Sequence, residues 1–187
     1  MFKRLIALFK VSIFFFRKFI SFTLKATAVY SKYKLFLLPG QEIDSIENIS
    51  LAKGFSMSKN CKLLARENNA SISIGENVKL NHNVMINSDF GGTITILENV
   101  IIGPNTVLRS SDHKISKDKL YISSGHTGGE IFISSNVWIG SNVIITKDIR
   151  IGENSIIRAG SVVTNNVEAN SIVGGAPAKN IGTIPLK

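Results

Sequence analysis

The sequence has one cysteine, Cys61, in 187 residues. That excludes an intrachain disulfide framework and any Cys-rich zinc module. Acid is absent from residues 1–40, which hold eight basic residues: Lys3, Arg4, Lys10, Arg17, Lys18, Lys25, Lys32 and Lys34. The net charge of +9 therefore belongs to this segment, and residues 41–187 come within one charge of neutrality. The high pI is not the footprint of a nucleic-acid-binding domain. Long uncharged apolar runs are missing too. What is present is a chain that is 44% hydrophobic and 19% charged, enough for one domain with a sizeable core and far from the composition of a disordered protein.

Residues 1–29 are rich in Phe, Leu and Ile. A transmembrane helix needs about 18 or more residues with few charges. Around Arg17 and Lys18 the uncharged runs are only Val11–Phe16 and Phe19–Leu24. A cleaved signal peptide needs an unbroken apolar stretch before its small-residue site. Ala26-Thr27-Ala28 imitates such a site, but Arg17, Lys18 and Lys25 break the stretch. On a helical wheel Lys3, Arg4, Lys10, Arg17, Lys18 and Lys25 gather within an arc of roughly 140°. Phe2, Leu5, Ile6, Phe9, Ile13, Phe16, Ile20 and Leu24 occupy the remainder, with Phe14 a misfit inside the basic arc. This pattern predicts an amphipathic helix lying on an anionic lipid surface. Packing against the protein's own core or within an oligomer is the alternative. The segment 1–40 is read as membrane-associating and 41–71 as a connecting or capping region.

From residue 72 the pattern changes. Ile133, Ile139, Ile145, Ile151, Ile157 and Val163 recur at a spacing of six. Such a run arises by chance on the order of once in two thousand frames. The same spacing holds at Ile74, Leu80, Ile86 and at Ile96, Ile102, Leu108. The fifth position is restricted as well, and the second is often glycine: Gly75, Gly103, Gly140, Gly152. A hexapeptide period predicts a parallel β-helix, three hexads to a coil, with the spaced aliphatic residue inside and Gly and Asn at the corners. A β-sandwich of short strands does not keep such phase. The phase breaks twice, around Asp89-Phe90-Gly91-Gly92 and between Leu108 and Ile133. Insertions in a solenoid become loops on one face, often the binding face. A protruding loop is expected at about 110–131, beginning at Ser110-Ser111-Asp112-His113.

Residues 72–182 resemble the hexapeptide-repeat acyltransferases. The resemblance rests on Val137-Trp138-Ile139-Gly140-Ser141, on Ala159-Gly160-Ser161-Val162-Val163-Thr164 and on Ile172-Val173-Gly174-Gly175-Ala176-Pro177-Ala178-Lys179. It points to the galactoside/maltose O-acetyltransferase type and its polysaccharide-modifying relatives. It implies a left-handed parallel β-helix, a homotrimer with sites between subunits, and acetyl transfer from acetyl-CoA to a saccharide hydroxyl. No metal is required by that chemistry. Residues 1–71 match no motif, and 183–187 are a tail.

By this resemblance His113 is the catalytic base. A neutral imidazole suits removal of a hydroxyl proton near neutral pH. Asn83 and Asp89 are the candidates for acceptor contact. Asn at a corner is also the ordinary furniture of this fold, and Phe90-Gly91 stand where the family often has an acid. The backbone N–H of Ser141 is the expected oxyanion donor. Trp138 and Gly140 would shape the acetyl-CoA channel, Ala159 and Gly160 would let pantetheine lie close, and Lys179 would meet phosphate. Arg158 departs from a frequent glycine, and its role, like those of His82 and His126, stays open.

The expected function is an acetyl-CoA-dependent O-acetyltransferase acting on a lipid-linked glycan precursor of capsule or lipopolysaccharide O-antigen. Its expected place is the inner face of a bacterial cytoplasmic membrane. N-acetylation of an amino sugar is the alternative, since the same base serves both. A zinc enzyme of the carbonic anhydrase type would need three ligand histidines. His82, His113 and His126 supply the number but not the close pair. A non-catalytic trimeric scaffold is the remaining class. Cys61 is read as a structural thiol, because nothing around it forms a Cys–His arrangement.

Overall fold

The phased aliphatic residues form the interior of a shaft. In the computed structural model, which describes residues 16, 19–24, 26–67 and 69–185, Ile133, Ile139, Ile145, Ile151, Ile157 and Val163 are all buried. So are Ile74, Leu80, Ile86, Ile96, Ile102 and Leu108. The fifth hexad position is buried as consistently, from Val78 and Val84 through Thr106, Val137 and Val143 to Ser155 and Ser161. Each hexad therefore sends two side chains inward. The chain divides into two compact units, Met1–Leu37 and Leu38–Lys187.

The second unit is a β-solenoid of about six turns with three sheet faces. A six-stranded face contains Glu42–Asp44, Lys62–Leu64, Met85–Asn87, Val107–Arg109, Ile144–Ile145 and Val162–Val163 in spatial order. A five-stranded face runs from Ile49–Leu51 through Ser71–Ile74, Thr93–Ile96 and Glu130–Ile133 to Ile149–Ile151. The seven-stranded face runs from Ser56–Met57 through Lys79–Leu80, Ile101–Ile102, Trp138–Ile139 and Ile156–Ile157 to Ser171–Gly174 and Lys179–Thr183. Coils pair in parallel, as a solenoid requires, except that the final strand Lys179–Thr183 turns back antiparallel on Ser171–Gly174.

Register gives the coil length. Trp138 pairs with Ile156, eighteen residues on, which is three hexads. Met85 pairs with Val107, four residues more than that. Ile101 pairs with Trp138, nineteen more. The two breaks in phase are thus insertions, and the shaft resumes its register after each. Upstream the coils are uneven: Glu42 pairs with Lys62 and Lys62 with Met85. Region 41–71, read from the sequence as a connecting cap, consists of shaft coils whose twenty- and twenty-three-residue lengths hide the hexad phase.

Corners are built by asparagine. Asn60, Asn77, Asn83, Asn99, Asn105, Asn136, Asn142, Asn154 and Asn170 all have φ between 56° and 60°, a left-handed conformation that Asn tolerates better than most residues. Their side chains bond along the shaft, as in Asn83 Nδ2 to Asn105 Oδ1 at 2.9 Å and Asn136 Nδ2 to Asn154 Oδ1 at 2.7 Å. The second-position glycines serve a different purpose from the corner role expected of them. Gly103 and Gly140 do not have positive φ. A Cβ on Gly140 would stand 2.6 Å from the Ala159 nitrogen, and one on Gly103 would stand 2.6 Å from the Gly140 carbonyl carbon. Glycine there permits close approach of successive coils.

In the first unit, residues 16, 19–24 and 26–33 are helical. Phe16, Phe19, Ile20, Phe22 and Leu24 are exposed. The helix closes at Lys34, whose φ of 56° and N–H bond to the Tyr30 carbonyl at 2.8 Å make a left-handed cap. The six basic residues of the predicted polar arc lie outside the described residues. No helix among the described residues is long and apolar enough to cross a membrane.

Candidate active site

The larger insertion leaves the shaft at a corner filled by two buried serines. Ser110 and Ser111 are both buried, and Ser110 Oγ lies 3.2 Å from the Oγ of Ser88, the residue just before the smaller insertion. Beyond them Asp112 and His113 are exposed. The insertion folds back on itself: strand Ser111–His113 pairs antiparallel with His126–Gly128, so that His113 stands opposite His126. Directly opposed residues in such a ladder put their side chains on the same face. The two imidazole rings lie 4.1 Å apart, tilted by 40°. On its other side His126 stacks flat on Phe90, 3.8 Å away and within 2° of parallel.

Phe90 has φ 58°. A bulky residue in the left-handed region costs roughly 1–2 kcal/mol, and such strain gathers at functional sites. Gly128 lets the hairpin sit against the Phe90–Gly92 backbone, since a Cβ there would clash with the Phe90 carbonyl oxygen and the Gly92 nitrogen. The two insertions therefore form one assembly, and His113 stands at its exposed edge.

An open cavity of about 810 Å³ surrounds His113, lined also by Asp112, Lys114, Ile115, Tyr121, Thr127 and Lys147. Lys147 Nζ bonds Asp148 Oδ2 at 2.6 Å. That ammonium, followed by the bond Asp148 accepts from the Glu130 N–H, holds the Asp148 carboxyl below the usual aspartate range. Among the described residues no group of three His, Cys, Asp or Glu is arranged to hold a metal ion. His113 and His126 meet at the hairpin, whereas His82 is exposed at an asparagine corner between the seven- and six-stranded faces.

A second groove, of about 340 Å³, runs along the seven-stranded face. It is lined by Trp138, Gly140, Ser141, Ala159 and Arg158 among others. Trp138, 56% exposed, forms its apolar wall, and the small Gly140 and Ala159 leave room for a chain to lie close. The Gly140 carbonyl accepts a hydrogen bond from Thr106 Oγ1 at 2.9 Å. A trans peptide points its N–H opposite its carbonyl, so the Ser141 N–H faces away from Thr106. Among the described residues nothing accepts a hydrogen bond from it. An unpaired N–H beside an apolar slot can donate a hydrogen bond to a carbonyl oxygen.

The remaining sequence candidates separate. Gly160, at φ 73°, turns the corner after Ala159. Asn83 is exposed at a corner and belongs to the asparagine ladder, accepting from Asn60 and donating to Asn105. Asp89 is buried. Its carboxylate accepts the Arg66 N–H at 3.1 Å and lies 3.8 Å from the Arg66 guanidinium, which also reaches Asp44 and Glu42. Lys179 is exposed and pairs with Gly174, which packs on the Arg158 side chain. Cys61 is buried and its thiol donates to the Asn81 carbonyl at 2.8 Å. Burial pushes the Cys61 thiol up, away from the thiolate form that reacts.

His113 and the Trp138 groove do not share a lining residue within one chain. Sequence reasoning did not find the ring stack. Its parts, Phe90 and His126, come from separate insertions, and only the pairing of the hairpin with the smaller insertion joins them.

Known proteins share this fold. Residues 130–165 match the bacterial transferase hexapeptide (six repeats) family. Galactoside O-acetyltransferase of Escherichia coli (strain K12) is 38% identical over 115 residues, covering 62% of this chain and 55% of the relative. The chain spans about half the length of the curated relatives it matches. Among solved structures, a galactoside acetyltransferase in complex with coenzyme A superposes with a TM-score of 0.66 at 33% identity, over 74% of this chain and 67% of that one. A maltose O-acetyltransferase from Clostridium difficile 630 gives 0.56 at 31% identity, over 78% and 67%.

Proposed function

Because the chain belongs to the hexapeptide-repeat β-helix acetyltransferases, we propose that it transfers acetyl from acetyl-CoA to a hydroxyl of a saccharide. The observation that carries this reading is the exposed His113 at the mouth of its cavity, on a chain that also bears a slot with a free backbone N–H. The relative solved with coenzyme A supports the donor.

In the proposed reaction His113 takes the proton of the acceptor hydroxyl as its oxygen attacks the thioester carbonyl. The Ser141 N–H donates to the oxyanion of the tetrahedral intermediate. Collapse expels the coenzyme A sulfur, and the imidazolium of His113 returns a proton to it. Trp138, Gly140, Ala159 and Gly160 form the channel for the pantetheine arm, with Lys179 the proposed partner of a phosphate. Asn83 is the proposed contact to the acceptor. Asp89, turned toward Arg66, is the weaker of the two acceptor candidates.

Base and oxyanion donor line separate cavities of one chain, which favours a site completed by a second copy, and a homotrimer is the proposed assembly. The acceptor we propose is a lipid-linked glycan precursor of capsule or O-antigen at the inner face of the cytoplasmic membrane. The exposed Phe19 and Leu24 of the first unit and the basic residues of 1–34 support that placement.

The experiment is acetyl-CoA cleavage followed with a thiol-trapping reagent, over a panel of sugars, amino sugars and lipid-linked glycans, for wild type and His113→Ala. Acceptor-dependent cleavage that falls at least about a hundredfold in the variant is expected. Equal cleavage by both proteins removes His113 from the role of base. Absence of coenzyme A binding ends the transferase reading.

A further inference from the structure

The reaction proposed above uses His113 but leaves the ring behind it without a part. His126 stands opposite His113 in the hairpin ladder. One side of it meets the His113 ring at 4.1 Å, and the other lies flat on Phe90 at 3.8 Å. Phe90 holds a left-handed backbone conformation, unlike the other non-glycine left-handed positions among the described residues, which are Asn, Asp, Ser or Lys. An aromatic residue at such a corner has no conformational reason to be there. Its ring, however, is what His126 rests on.

We propose that His126 is a positioning residue for His113, acting through its ring and backed by Phe90. The proposal rests on the reading of His113 as the base. An imidazole on a two-stranded hairpin that projects from a shaft has few neighbours to fix its side-chain angles. Stacking against a ring that is itself clamped removes that freedom, and a base fixed in one orientation reacts faster than one that must find it. The clamp joins the two insertions, Phe90 from the four-residue one and His126 from the nineteen-residue one. Gly128, pressed on the Phe90 carbonyl, keeps the hairpin close enough for the rings to meet. On this account both interruptions of the hexad phase serve one purpose.

The geometry and the catalytic consequence are tested separately. The chain has three histidines, so single substitutions assign their ring signals in a carbon–proton spectrum of the full-length protein. Stacking on Phe90 predicts upfield-shifted ring protons for His126 that move toward ordinary values in Phe90→Leu. Unmoved signals overturn the stack, whether or not the protein transfers acetyl. For catalysis, His126→Ala is expected to lower kcat about ten- to thirtyfold at unchanged KM for acetyl-CoA, a split that also reports an intact fold. His126→Phe, which keeps a flat ring but no nitrogen, is expected to recover most of that loss. Full activity in His126→Ala, with His113→Ala inactive, overturns the proposal alone. His126→Phe as slow as His126→Ala overturns it as well, since the imidazole nitrogens and not the ring plane would then be needed. Full activity in His113→Ala overturns the base assignment beneath it.

Discussion

The Thr106 hydroxyl donates to the Gly140 carbonyl at 2.9 Å, from one coil to the next. The same oxygen accepts the Val143 N–H at 3.2 Å. Thr106 stands at a fifth hexad position where Val is usual, fully buried. Through these two bonds it fixes which way the Gly140–Ser141 peptide faces. Thr106→Val keeps the shape and removes both bonds, leaving the half-buried Gly140 carbonyl and the buried Val143 N–H without partners. We expect a loss of about 1–3 kcal/mol in urea denaturation, and a fall in kcat that exceeds any rise in KM for acetyl-CoA. Thr106→Ser should restore both. An unchanged kcat in Thr106→Val would show that the peptide needs no such anchor.

Gly140 is required for space, not for backbone freedom. A Cβ there would meet the Ala159 nitrogen at 2.6 Å and the Ile157 carbonyl oxygen at 3.0 Å, and both neighbours are backbone that cannot step aside. Gly140→Ala should destabilise the shaft by about 1–3 kcal/mol as an overpacking change, and should weaken coenzyme A binding because the groove floor is pushed apart. Gly160 is the contrasting case, with open space but φ 73°. Gly160→Ala should cost roughly 1 kcal/mol of backbone strain. Isothermal titration with coenzyme A alongside thermal melts separates the two effects.

Asp148 predicts a small pH effect with a definite sign. Its folded carboxyl is held below the ordinary aspartate value, first by Lys147 and then by the Glu130 N–H. A carboxyl so depressed contributes stability above its unfolded pKa, and that contribution is lost as pH falls through the folded value. Because the Asp148 side chain is 59% exposed, the contribution should stay under about 1 kcal/mol. Asp148→Asn should therefore lower Tm slightly at neutral pH and make no difference in strong acid. A Tm difference that grows as pH falls would contradict the assignment.

Deleting residues 1–29 tests the proposed membrane contact. The truncated protein should move from the membrane pellet to the supernatant, and should lose binding to vesicles containing anionic lipid while keeping acetyl transfer to a water-soluble acceptor. Wild-type binding to the vesicles should weaken as salt rises. Partitioning that does not change on deletion would remove the segment from that role.

The shaft was legible because a solenoid writes its period along the chain. Ile133 to Val163 repeat every six residues, and each is buried as the period requires. The lengths of both insertions could also be counted, since register resumes after each. The coils before residue 72 could not be read, because their lengths depart from eighteen and no phase accumulates. Glycine at the second position was visible, but its reason was not: close approach is a relation between coils, here Gly103 over Gly140.

Local residue types thus determined the repeat, the places where it breaks, and His113 at the exit of the larger break. Tertiary structure decided what those breaks build. Phe90 and His126 are thirty-six positions apart, and no spacing rule couples a four-residue corner to the return strand of a hairpin. They meet because parallel coils bring the two insertions to neighbouring levels of the shaft. Thr106 and Gly140 meet for the same reason, thirty-four residues apart. A period fixes which side chains turn inward, while contact across coils fixes which groups stand together at the surface.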